Sequence, residues 1–469
     1  MNLSLWKALF RRVSMENSLL ISECGMTLKD YENAATAPAR FLSSFQSSNQ
    51  HGIPLKVYSS HYIDTDLLRD IPVFSESVSA VYLVPGGQFM LTQHEGFTSE
   101  IHLWDLGAPG KSDRGHDFQD LLPLASLEDR SFLSSLPAHP TGNGQGIILF
   151  ACKDALGEEE GECERDIFVY EIYPMLEGAS FRQIATQSYN YSANEDLSYA
   201  FNHNKLVMFV DEGIVRIWDY VTSTQATWSV PMYPIISNIF LRGEIVIIQH
   251  SNLVSLYTIP ELHTLDSSLS SDAQSWDPIF SSELPSIPQI SPQFEVEAPD
   301  PWYNQSELPI HIDSLIYSEG EEPYNQSQSA IRYRLYVSSL VDEYLSNRSA
   351  SQLHNKESDF TTIPASDGCL EGYRFCEKQM ISFSSFDKGL SIQRAQMDIT
   401  NVPLLLDQPR MTTAVHRCPQ NEKTLVSLCS ASGRFVNCHA ERLLIEIVDF
   451  LPHPSSEGKP LPEYESDSD

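Results

Sequence analysis

Three groups of residues in this 469-residue chain have the types that chemistry needs. The first is "GAPGKSD", Gly107 to Asp113, whose Gly-Lys-Ser ending matches the close of a loop that cradles nucleotide phosphates with backbone N–H groups and a lysine. That loop needs a glycine five positions before Gly110, where the chain has Asp105, and it should open a helix, whereas "KSDRGHDFQD" follows. An ordinary connecting loop is the expectation. The second group is the eight cysteines, Cys24, Cys152, Cys163, Cys369, Cys376, Cys418, Cys429 and Cys438. Zinc sites bring ligands in close pairs, but no Cys-x-x-Cys or His-x-x-x-His occurs, and adjacent Cys438 and His439 would point to opposite faces of a strand. The third is "HYIDTDLLRD", whose Asp64, Asp66 and Asp70 lack the glycine and distal glutamate of a calcium loop and read as turn and helix caps. With no Gly-x-Ser-x-Gly elbow either, no catalytic residue, metal or cofactor is expected, and the chain is not expected to be an enzyme.

Charge narrows the partners. With 30 Lys plus Arg against 63 Asp plus Glu, the net charge is -33, which repels nucleic acid and anionic lipid. Apolar runs such as "GIILFA" are strand-sized, so no membrane span is expected. The N-terminus lacks a secretory pattern and the cysteines are scattered, which points to a cytoplasmic or nuclear protein whose sequons at Asn190, Asn304, Asn325 and Asn347 stay unmodified.

The elements that would carry such residues are betrayed by repetition. "EIHLWDLG" and "GIVRIWDY" share a pattern ending in Trp104-Asp105 and Trp218-Asp219. A second phrase, a polar turn feeding a short apolar run, recurs as "PGGQFMLT", "GNGQGIILF", "NHNKLVMFV", "LRGEIVII", "CEKQMISF" and "SGRFVNCH". The turn and the closing residue keep a nearly constant separation, from Gly87 to Trp104, Asn204 to Trp218, Gly243 to Tyr257 and Gly433 to Val448, with room for two strands and a tight connection. Looser copies close on Tyr170, Tyr336 and Gln393, which makes seven units. Units that bury both faces only by stacking, and that lose their edges by closing a ring, predict an all-β, WD-repeat-like β-propeller of seven blades, with six as the alternative. Trp104 and Trp218 are then blade-packing residues, and Asp105, Asp219 and Asp449 polar partners at strand ends.

Helical periodicity is confined to the start. Leu5, Leu9 and Val13 recur at every fourth position beside Trp6 and Phe10, and a second helix is predicted from a Thr27 cap to Pro38. The expected organisation is a helical segment over 1–40, a linker over 41–52, a propeller over 53–452 with loop insertions near 265–309 and 346–368, and a disordered acidic tail over 453–469. The run "GEEEGECERD" reads as a hairpin tip, and Ser466 and Ser468 as kinase targets or merely solvated tail.

The order of "SLWKALFRRV", "VYLVPGGQFMLT", "IHLWDLG" and "CSASGRFVNC" resembles the fungal family of F-box proteins with a degenerate WD-like propeller. The resemblance implies a substrate receptor of an SCF-type cullin-RING ubiquitin ligase, binding the ligase adaptor through an F-box and an unknown protein substrate through the propeller. Leu5, Trp6, Leu9 and Phe10 would be the tail of the F-box, whose main adaptor-binding helices would lie upstream of Met1. The alternative is a propeller scaffold in another intracellular complex.

Overall fold

The computed structural model describes residues 2–51, 55–64, 77–95, 99–109, 121–133, 137–156, 162–192, 198–210, 213–231, 236–250, 253–264, 274–283, 310–317, 328–335, 360–363, 369–376, 379–386, 389–396, 412–416, 424–439 and 444–452. The polar turns of the repeated phrase become hairpin turns: Ser77–Leu83 pairs with Phe89–Glu95 across Gly86 and Gly87, whose φ of 108° and 72° are left-handed values that glycine reaches without Cβ strain. The runs that follow such turns are inner strands of their sheets, and those whose burial is described are largely covered on both faces. Phe89 to His94 are all buried.

Seven sheets form among the described residues, mostly four-stranded and in chain order, antiparallel except where Gln274–Ser275 joins the third in parallel. The first holds Ser77–Leu83, Phe89–Glu95, Glu100–Asp105 and Ala125–Glu128, and the third is built on Ser198–Asn202, Lys205–Val210, Ile214–Asp219 and Thr224–Ser229. The last, Thr424–Cys429, Arg434–His439 and Leu444–Asp449, takes its fourth strand from the opposite end of the chain, Ser59–Asp64, in the register Ser59↔Asp449 to Asp64↔Leu444. Asp64 is therefore a strand residue and not a turn cap; Asp66 and Asp70 lie outside the described residues. Buried apolar clusters join the last sheet to the first, the first to the second, the second to the third and the third to the fourth. The chain is an all-β propeller carrying a helical N-terminal layer.

Register refines the repeat. Trp104, Trp218, Tyr257 and Val448 each sit in the second pair from the turn, opposite Met90, Leu206, Val246 and Phe435. Tyr170 instead sits in the third pair, opposite Leu149, and Gln393 in the fourth, opposite Ser382. Matching by residue type misplaced these two, because pairs must be counted from the turn: a one-pair shift puts Tyr170 on the other face of its strand, and a two-pair shift leaves Gln393 on the same face but further along. Tyr336 lies outside the described residues.

The helical layer departs from expectation at its second element. α1 spans Leu3–Glu16, and α2 spans Leu28–His51, running through Pro38 and through the stretch expected to be a linker. A mid-helix proline costs about 3 kcal/mol. It is tolerated because the turns around it bury Ala37, Phe41 and Leu42 against Phe435, Phe450 and Leu451, and a fully buried Phe or Leu contributes about 1.5–3 kcal/mol each. Thr27 does start the helix: Asp30 N donates to Thr27 Oγ1 (3.3 Å) while Asp30 Oδ2 accepts from Thr27 N (2.7 Å). The expected insertions are not all loop. Gln274–Ser275 and Phe280–Glu283 add strands to the third and fourth sheets and Phe360–Ile363 to the fifth, since ladder pairing needs only backbone groups. The hairpin Ile147–Leu156 with Glu162–Ile172 ends in the acidic run, whose residues 157–161, like the tail 453–469, fall outside the described residues.

Candidate functional site

The first sheet contains the groups most like an acid–base constellation. Trp104 Nε1 donates to Thr92 Oγ1 (2.9 Å), and Thr92 Oγ1 is 3.0 Å from His94 Nε2. The His94 and His102 rings lie edge to face at 4.8 Å, His102 Nδ1 reaches Ser126 Oγ at 2.7 Å, and His102 Nε2 is 3.3 Å from Glu100 Oε2. Burial pulls His94 down to about 3, with the His102 charge adding to the effect, and His102 down to about 4; it pushes Glu100 up, helped by Glu128. Each shift favours the neutral form of its group over the charged one. Relative exposures of 1% for both histidines and 3% for Glu100 leave no room for a reacting molecule, so the network holds a sheet together. Trp104 is thereby a core residue with a satisfied indole, while the buried Trp218 and Trp228 indoles have no hydrogen-bond partner among the described residues.

The carboxylates that follow the tryptophans serve turns. Asp105 Oδ1 accepts from Gly107 N (2.9 Å) and Gln88 Nε2 (3.4 Å), and Asp219 Oδ1 accepts from Val221 N (3.0 Å) and Thr222 N (3.1 Å). Asp449 does something the sequence reading did not anticipate. It receives both forks of Arg434, Nε to Oδ1 at 2.7 Å and Nη2 to Oδ2 at 2.8 Å, while Arg434 Nη1 donates to the carbonyls of Gly87 and Gly107, each at 2.8 Å. One guanidinium in the last sheet thus fastens two turns of the first. The available signal was a lone arginine inside the apolar run "GRFVNC".

The four residues proposed for adaptor binding are divided. Phe10 turns inward, its ring 5.5 Å from Tyr31; Trp6 and Leu9 are half-buried against the same cluster; Leu5 is 66% exposed, with Leu3 and Met15 also outward. Glu23 ties the layer together through Arg11 (2.8 Å) and Lys7 (3.2 Å), which hold its carboxyl down at about 2 against the opposing effect of burial.

Between α2 with the segment preceding it and the turns of the first and last sheets lies a cleft of about 50 Å³. Its walls are mainly apolar, with Ile21, Met26 and Leu451 among them, and Asp30, Asn33, Arg40 and Ser432 supply polar groups. The segment Ser18 to Ser22 that borders it is pinned to the propeller, since Leu20 N donates to the Pro85 carbonyl (2.9 Å) and Ser22 N to Gln88 Oε1 (3.0 Å). Among the described residues no group of three His, Cys, Asp or Glu side chains could hold a metal ion, and no helix is long and apolar enough to cross a membrane.

No family model matches the chain, and no curated protein does. Solved structures to which it is similar include the β-propeller domain of Cps50 (Swd1) from Myceliophteria thermophila, 9% identical with a TM-score of 0.43, covering 80% of this chain and 96% of that one. Others are the N-terminal domain of Nup159 (10% identical, TM-score 0.38, 80% and 90% covered) and a chain of the mitotic checkpoint complex (12% identical, TM-score 0.38, 80% and 92% covered). The fold assignment itself stands on the sheets, their register and their shared cores.

Proposed function

We propose that the chain is a non-catalytic protein-interaction scaffold, and more narrowly the substrate receptor of an SCF-type cullin-RING ubiquitin ligase acting in the cytoplasm or nucleus. The observation that carries the scaffold reading is the joining of a helical layer to the propeller through shared buried clusters. Phe41 and Leu42 of α2 belong to the same buried cluster as Phe435 and Val448 of the last sheet, and Leu20 belongs to that of the first and second. A partner held on the helices is therefore kept in fixed geometry to one held on the propeller. The ligase reading rests on the resemblance of "SLWKALFRRV" and on the outward Leu5; the burial of Phe10 narrows the surface α1 can offer to an adaptor. A scaffold in another intracellular complex is the competing reading.

Co-purification separates the two. Tagged protein expressed in its native cells should bring down the ligase adaptor and cullin, and Leu5→Asp, at an exposed position, should lose them while leaving the thermal midpoint unchanged. Capture of defined partners that include neither adaptor nor cullin would overturn the ligase reading and leave the scaffold.

A further inference from the structure

The segment from Met1 to Lys56 carries six basic side chains (Lys7, Arg11, Arg12, Lys29, Arg40, Lys56) and four acidic ones (Glu16, Glu23, Asp30, Glu32), a net of +2; the chain total is -33, so the rest carries -35. A cationic layer thus sits on an acidic propeller. Lys7 and Arg11 are matched by Glu23, and Arg12 by Glu16. Arg40, in the wall of the cleft, is matched by no carboxylate among the described residues: Nη2 donates to the Asn33 carbonyl (3.1 Å) and to Asn33 Oδ1, both neutral, and Nε is buried with no hydrogen-bond partner. The acid that shares the cleft wall, Asp30, already has Oδ2 occupied by Thr27 N (2.7 Å) and Thr27 Oγ1 (2.9 Å). A guanidinium drawn among apolar walls without a counter-ion gains most from a carboxylate, whose two oxygens match its planar fork. The remaining walls, Ile21, Met26 and Leu451, would reward a branched apolar group.

We propose that this cleft binds a carboxylate carried on a short branched aliphatic stem, with the carboxylate on Arg40 and the stem against Ile21, Met26 and Leu451. The terminal leucine or valine of a partner polypeptide and a free branched short-chain acid both present this chemistry. The inference does not depend on the scaffold reading.

Calorimetric titration of the full chain tests it with three probes: a Gly/Ser hexapeptide ending in a free leucine carboxylate, the same peptide amidated, and 3-methylbutanoate. One of the acids should bind at millimolar concentration or better, and the amide at least roughly tenfold more weakly, the loss expected for one charged hydrogen bond. Tighter binding of the peptide acid assigns a chain terminus; equal or tighter binding of 3-methylbutanoate assigns a free acid. Arg40→Gln should reproduce the loss, as should Ala34→Leu, which fills the cleft and leaves Arg40 in place. Equal binding of acid and amide, no binding of either acid, or full affinity in Arg40→Gln would overturn the proposal. The acid–amide comparison uses the unaltered chain and decides the matter even where a variant fails to fold.

Discussion

Replacing Arg434 by methionine keeps most of its apolar stem and removes the guanidinium. Four hydrogen bonds go with it, two to Asp449 and one each to the carbonyls of Gly87 and Gly107, all at 2.7–2.8 Å. Asp449 is 3% exposed; Ser59 Oγ at 3.3 Å would still reach it, but a buried carboxylate would have lost its cation. Removing one member of a buried ion pair typically costs about 3–5 kcal/mol, and two orphaned carbonyls push the value toward the upper end. The double replacement Arg434→Met with Asp449→Leu should recover a large part of that loss, because the stranded charge is gone. Urea unfolding followed by the fluorescence of the buried Trp104, Trp218 and Trp228 measures each variant. A cost under about 1 kcal/mol for Arg434→Met, or simple additivity in the double variant, would refute the argument that this pair fastens the last sheet to the first.

Two further outcomes follow from the same geometry. His94, His102 and His139 are held at about 3, 4 and 4 by burial, so below pH 6.5 the unfolded chain takes up protons that the folded one refuses. Stability should fall as pH drops from about 6.5 toward 4, more steeply than in a His94→Gln variant; Glu100, raised by burial, opposes this, and a flat urea midpoint from about pH 7 to 5 would contradict the reading. Gly86→Ala should loosen the helical layer, since its Cβ would stand 2.6 Å from the Leu20 carbonyl oxygen at a φ of 108°. Proteolysis between α1 and α2 should accelerate with little change in the propeller, at a cost of about 1–3 kcal/mol.

What was legible in the sequence was whatever chemistry repeats over short distances. "PGGQFMLT" and "LWDLG" announce a turn, two strands and a closing aromatic because every part of the signal lies within one hairpin and the strand after it. Gln393 was read two pairs out of register because nothing in "LSIQRAQ" marks where the turn begins. α2 was stopped at Pro38 because the contacts that carry it onward, with Phe435, Phe450 and Leu451, come from the other end of the chain. The strand Ser59–Asp64 escaped for the same reason, its partner Leu444–Asp449 being equally remote. Of the cleft, only the basic character of the segment from Met1 to Lys56 was visible; that Arg40 lacks a carboxylate is a fact of three-dimensional placement.

The strand Ser59–Asp64 also sets a schedule. During synthesis its sheet partner, Leu444–Asp449, is made long after it. Ser59 and Asp449 are 390 positions apart. At about 5–20 residues per second, that is a wait of roughly 20–80 s in which the early strand lacks the ladder it will join. The first sheet spends the same interval without Arg434, its Gly87 and Gly107 carbonyls turned toward a side chain not yet made. Until Leu444–Asp449 has been made, the nascent chain is therefore an open arc.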